Sequence, residues 1–412
     1  MKQYGIIIIL LCVFISCKHN PAGPDSGNSA MPSSQIDKNI VQEDNSFGFK
    51  LFNKLSGEQL DTNVIISPLS ISTAFGMALN GAHGATLDSL EQALGKSGMS
   101  LDAINAYYQT TAATLANLDA NVNFQIANSI WYRSGFSVLP KFLNDNKTYF
   151  DAEVQALNFA SADAVATINN WVSTKTNGKI PTILQSIPES AMLYLINAIY
   201  FKGNWTYQFN SQFTKDAPFT CNNGTVVACH MMSQESKFAY YADSTLQAID
   251  LPYGNGSFSM TILLPSAGTN IDQFAATLTQ SQWNSIVSSM DSTTVDVYLP
   301  KFQLNYGKLL GKDLASMGMG IAFSPAADFT HIDSAGGIAI SDVLHKTFIE
   351  VSEEGTEAAA VTVIIFIATT MSEGGHTNIP PIIRINHSFI FAIRDHQTGT
   401  ILFIGKVVNP NG

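Results

Sequence analysis

The chain has 412 residues, of which 46% are hydrophobic and only 13% charged. That is enough apolar material for a large core, which excludes a disordered chain. Its 21 basic and 32 acidic residues leave a net charge of −11, the wrong sign for a nucleic-acid binder, whose footprint is basic.

The chain opens with a leader. Met1-Lys2 precedes an apolar run from Ile6 to Ile15, too short to span a bilayer and laid out like a signal peptide. The run ends Phe14-Ile15-Ser16-Cys17, where a small residue directly before a cysteine resembles the lipobox of bacterial lipoproteins, with Phe14 in a place where leucine is usual. On that resemblance, residues 1–16 are a lipoprotein signal peptide and Cys17 is lipidated and becomes the new N-terminus. Lys18 supplies no inner-membrane retention signal, so the resemblance implies an exported protein on the outer membrane, facing the periplasm or the cell surface. Pro, Gly and Ser punctuate the segment up to Asp44, so residues 17–44 read as a flexible tether. The rest shows no internal repeat and reads as one large domain or two fused ones.

Elements then follow in a mixed order. Ser67 or Ser70 is placed to cap a helix running from Ile71 to Leu79, with a turn at Asn80-Gly81. Leu87 to Leu94 has helical spacing and stops at Gly95. Val122 to Tyr132 reads as a strand and Leu193 to Phe201 as a buried one. Cys221 to Cys229 brackets a hairpin turn at Asn222-Asn223-Gly224. Ser257 to Leu264 and Thr294 to Leu299 alternate as strands do, and Gly318-Met319-Gly320 reads as a turn. Two closing strands, Phe389 to Arg394 and Ile401 to Val408, flank His396-Gln397-Thr398-Gly399. The class is α+β with many antiparallel strands.

Chemistry-bearing motifs are scarce. The four cysteines at 12, 17, 221 and 229 form no Cys-x-x-Cys, and no His-Glu-x-x-His, Walker loop or Gly-x-Ser-x-Gly occurs. No catalytic residue, cofactor or metal is therefore expected. Cys221 and Cys229 flank one hairpin turn without being direct partners across it, and read as two free or loosely placed thiols, with a disulfide in an oxidising compartment the alternative.

One stretch has two characters. Glu353-Glu354-Gly355-Thr356-Glu357 is polar, Ala358-Ala359-Ala360 is small, and Val361 to Ala368 is almost continuously apolar before Thr369-Thr370-Met371 and a Gly-rich loop. Periodicity alone makes this a central strand and its exit. The run from Glu353 to Ala360, however, resembles the hinge of the serpins. So do Asn63-Val64-Ile65-Ile66-Ser67-Pro68-Leu69-Ser70, Asn197-Ala198-Ile199-Tyr200-Phe201-Lys202-Gly203-Asn204-Trp205, Tyr298-Leu299-Pro300-Lys301-Phe302 and the ending from Thr398 to Pro410. These stand in family order from about residue 46 to 410.

The resemblance implies a serpin domain over residues 45–412, with three β-sheets, eight or nine helices and an exposed reactive-centre loop. A protease cuts that loop and forms an acyl-enzyme; the freed hinge then inserts as a new strand, and ~15 residues at ~3.3 Å each carry the protease roughly 50 Å. A segment that must be loop first and buried strand later reads as both. Small residues at Thr356, Ala358 and Ala360 suit insertion, because a bulky or charged one would have to be desolvated. By the same resemblance Ser67, Ser70, Asn197 and His345 form the shutter where the sheet parts, and Trp205 marks the breach. Lys301 pairs with Glu353. Taken alone, His345 is a core histidine and Trp205 a core aromatic.

Counting from Gly355 puts the cut near Thr369-Thr370, within Ile367, Ala368, Thr369, Thr370 and Met371; counting back from Ile379-Pro380-Pro381 puts it near Thr377. The first count is preferred, because strand length decides how far the protease travels. No Lys or Arg occurs from Gly355 to Ile383, so a trypsin-like pocket has nothing to bind. Elastase-like and subtilisin-like proteases are the expected partners, with papain-like enzymes a further class and the lipid anchor the sole membrane contact. A monomer is expected. The competing reading is a non-inhibitory serpin acting as a carrier or chaperone.

Overall fold

The computed structural model describes residues 37–356 and 380–412. The leader with Cys17, hinge residues Glu357, Ala358, Ala359 and Ala360, and the expected cleavage region Ile367 to Met371 lie outside the described residues. In chain order the elements are α1 (Lys38–Glu58), β1 (Val64–Ile66), α2 (Pro68–Leu79), α3 (Gly84–Ala93), α4 (Leu101–Ala116), β2 (Val122–Arg133), α5 (Pro140–Phe150), β3 (Glu153–Leu157), α6 (Asp163–Lys175) and β4 (Leu193–Asn204). Next come β5 (Lys215–Thr220), β6 (Val226–Ala242), β7 (Leu246–Tyr253), β8 (Phe258–Pro265), α7 (Ile271–Thr277), α8 (Gln280–Ser288), β9 (Asp291–Pro300), β10 (Phe302–Leu309) and α9 (Gly311–Leu314). The chain closes with β11 (Leu344–Val351), β12 (Gly355–Thr356), β13 (Ile382–Arg384), β14 (Phe389–Asp395) and β15 (Ile401–Val407).

One sheet runs β10-β11-β12-β4-β2-β3; the other runs β1-β15-β14-β8-β7-β6-β9-β13, with β5 also on β6. The second is two sheets made continuous by β6. Met231 to Tyr240 pair with β9, whereas Ala239 to Ala242 pair with β7. The expected three sheets are realised in this way, with nine helices among the described residues.

A core lies between the sheets. Phe124 of β2, Phe201 of β4 and Ile349 of β11 meet Phe258, Met260 and Ile262 of β8 there. On the outer face of the six-stranded sheet, Ile168 and Val172 of α6 pack with Trp131, Ile196 and Phe348. The alternation expected in β8 is present, yet all eight residues are buried, because Ser259 and Thr261 on the second face donate to buried Asp250. Gly318 has φ +107, outside the helical range, and turns the chain between two short helical stretches.

The boundary of the folded unit differs from the sequence expectation. Helix α1 starts at Lys38, inside the segment expected as tether, with Asp37 accepting from the Asn39 N–H as its cap. Ile40 and Val41 are buried, and so is Asp44. Lys96 Nζ reaches Asp44 at 2.8 Å and the Tyr107 hydroxyl donates to it at 2.9 Å. A buried carboxylate is tolerated when it is paired in this way.

Candidate functional site

Strand β11 leads straight into the hinge. Its buried positions alternate, and the chain then reverses at Ser352-Glu353-Glu354. The Ser352 N–H donates to the Gly355 carbonyl at 2.9 Å. The two residues of β12 sit between β11 and β4, Thr356 pairing with Val351 on one side and Gly203 on the other. Gly355 has φ +151, and a Cβ there would lie 2.1 Å from the Gly203 carbonyl oxygen. Only glycine fits this approach.

Trp205 closes the top of the seam. Its ring stacks on Tyr253 with centroids 4.4 Å apart and planes 12° apart, and its Nε1–H donates to the Ser352 carbonyl at 2.9 Å. The backbone N–H groups of Trp205 and Phe209 donate to the Glu354 and Glu353 carbonyls. Lys301 Nζ lies 2.7 Å from Glu353 Oε2, and the Thr214 hydroxyl donates to Oε1 at 2.8 Å. Burial pushes the Glu353 carboxyl up, but the hydrogen bonds from Lys301 and Thr214 outweigh it and leave it below its ordinary range. By contrast, Oε2 of Glu354 is buried without a partner.

Below Thr356 the seam is open. Among the described residues no ladder joins β4 directly to β11. A narrow gap of about 20 Å³ lies there, bordered by Ile199 and Phe201 of β4, Phe348 and Ile349 of β11, and Thr356 above. Lower down, His345 is buried, and its Nε2 accepts the Ser67 N–H at 3.2 Å. Ser67 Oγ accepts the Ser70 N–H and caps α2, with Pro68 at its first position. Across the seam, Asn197 donates to Asn128 of β2 at 2.8 Å, while its own Oδ1 is buried and unpaired. The structure thus brings Ser67, Ser70 and His345 together and ties Asn197 to β2.

Three participants escaped the sequence reading: Tyr253, Thr214 and Asn128. Each makes its contact across 69 or more residues of chain, and no local pattern signals that. Cys221 and Cys229 are free and buried, and burial raises both thiols. Among the described residues no group of three or more His, Cys, Asp or Glu is placed to hold a metal.

The family model described as Serpin (serine protease inhibitor) matches residues 42–410. This chain belongs to the serpin family. An uncharacterised serpin-like protein of Thermococcus kodakarensis is 33% identical, covering 100% of this serpin and 99% of the relative. The human leukocyte elastase inhibitor is 35% identical over 88% of this chain and 97% of its own. Among solved structures, the thermophilic serpin tengpin in its native state superimposes with a TM-score of 0.81 at 33% identity, covering 91% of this chain and 95% of that one. Human thyroxine-binding globulin complexed with its ligand gives 0.82 at 29%, covering 91% and 99%. The serpin fold therefore occurs both in named protease inhibitors and in a hormone-binding protein, and the hinge has to separate the two for this chain.

Proposed function

We propose that this serpin is an irreversible suicide inhibitor of elastase- and subtilisin-class endopeptidases. It traps the acyl-enzyme by driving its cut loop between β4 and β11. The observation that carries this reading is the register of the seated hinge. Thr356 pairs with Gly203 and with Val351, so each further residue of an antiparallel strand meets the residue one earlier on both neighbours. Ala358 then comes level with Phe201 and Ile349, and Ala360 with Ile199 and Thr347. Those neighbours are all at least nine-tenths buried, so small side chains suit the first rungs. Thr362 brings a hydroxyl level with His345 and with the unpaired Oδ1 of Asn197. Strand β4 begins at Leu193, level with Phe366, so the ladder ends just before Thr369-Thr370.

The absence of Lys and Arg from Gly355 to Ile383 and the elastase-inhibiting name of a relative support the target class. Mixing the purified protein with elastase, subtilisin and trypsin and running a denaturing gel tests the proposal. An SDS-stable band is expected with the first two, its cleavage mapping within Ile367–Met371. Clean loop cleavage without that band would instead favour a carrier or chaperone, and a covalent trypsin complex would overturn the assigned specificity. The leader further supports an exported lipoprotein, anchored through Cys17 at the outer membrane. Radiolabelled palmitate should enter the wild type and not Cys17→Ser; equal labelling would remove the anchor.

A further inference from the structure

Tyr253 ends β7 in the nine-stranded sheet, yet its hydroxyl reaches the other sheet. It shares a hydrogen bond of 2.7 Å with Thr356 Oγ1, its one hydrogen-bond partner among the described residues. The ring cannot turn aside. Trp205 stacks on one face, Phe201 meets it edge-on with centroids 5.2 Å apart, and a Cβ on Gly203 would stand only 3.1 Å from it. Both Tyr253 and Thr356 are buried. If Thr356 withdrew, the phenol would be left without a partner inside the core, which is costly. One feature pulls the other way: the buried, unpaired Oε2 of Glu354. The hinge is therefore held in the sheet by a local balance, in which the Tyr253–Thr356 bond is the one side-chain bond on Thr356 itself and adds to the bonds on Ser352 and Glu353 and to the pairing of Thr356 with Val351 and Gly203.

We propose that Tyr253 is the latch that keeps the hinge seated two residues deep in the uncut protein. This seating decides how the acyl-enzyme divides between trapping and release. Insertion competes with hydrolysis of the ester, and a strand whose first rung is already made propagates without having to nucleate. Tyr253 touches neither protease nor scissile bond; it is a positioning residue. The kinetic half of the proposal rests on the inhibitory reading above, while the seated hinge stands apart from it.

The test uses Tyr253→Phe, which keeps the ring, Thr356→Val, which keeps the shape, and the double variant. Each is first checked for wild-type secondary structure and monomeric state. In the free protein, hydrogen exchange at the Ser352 and Gly355 amides should quicken about three- to tenfold in either single variant, the equivalent of one neutral hydrogen bond. The number of inhibitor molecules consumed per protease trapped should rise by a similar factor. The double variant should be no worse than either single one, because both remove the same bond. Unchanged exchange, or additive effects in the double variant, would overturn the latch. Quickened exchange with unchanged consumption would overturn its kinetic role. If the wild type traps no protease, the inhibitory reading and the kinetic role fall together, and the exchange measurement still decides the latch.

Discussion

His345 shows how burial sets chemistry at a single residue. Desolvation lowers its pKa from the ordinary 6.5 to about 4, so the ring is neutral at pH 7. Its Nε2 accepts the Ser67 N–H, which leaves the proton on Nδ1. Protonation would turn Nε2 into a donor facing a donor. Because the folded value lies below the unfolded one, the unfolded chain takes up the proton first. Stability is therefore full above pH 6.5, falls as the pH drops from 6.5 towards 4, and levels off below, a loss of about 3 kcal/mol. The urea midpoint of the wild type should fall across that window, and His345→Gln should lose most of the dependence; equal slopes would remove His345 as the cause. The residue and its partner Ser67 were both visible in the sequence through their resemblance to a shutter, but not the fact that the contact runs from the Ser67 backbone N–H. Asp44 was misread for the opposite reason. A charged residue in a polar stretch, Gln42-Glu43-Asp44-Asn45, looks like tether until Lys96, 52 residues away, is seen to pair with it.

At the scale of elements, the seam between β4 and β11 is governed by register. An inward charge at position 360 would have to be stripped of water between Ile199 and Thr347 before the strand could advance. Ala360→Glu should therefore cut the yield of SDS-stable complex at least about tenfold, with the missing protein recovered as loop-cleaved chain. Complex formation at wild-type yield would mean that the register runs otherwise. Five of the strands could be read closely from the sequence: β2, β4, β9, β14 and β15 fall within a few residues of their expected bounds. These are long and carry clear period-2 or continuous apolar patterns. The two-residue β12 could not be read, since Gly355 and Thr356 become a strand only because Gly203 opposite leaves room for them. The sheet-joining role of β6 was hidden too, because pairing partners on β7 and β9 have no signature within β6 itself.

The whole molecule holds a six-stranded sheet whose middle is joined by two residues. Filling the seam would add two ladders of roughly ten rungs, each worth about 0.5–1.5 kcal/mol net. Loop-cleaved protein should accordingly melt roughly ten degrees or more above the intact form by calorimetry; coincident transitions would mean that the loop does not insert. The helix α6, packed over Trp131, Ile196 and Phe348, adds a further consequence. On the proposed inhibitory reading, a strand entering between β4 and β11 would disturb the cluster that Ile168 and Val172 share with Ile196 and Phe348, so those contacts would have to loosen before the sheet could close. Loosening packed side chains carries a large activation enthalpy, and rates of that kind climb steeply with heat. On that reading an uncut molecule would keep time: cool it would stay armed, and warmed it would spend its loop on itself at a rate set by how firmly α6 is seated.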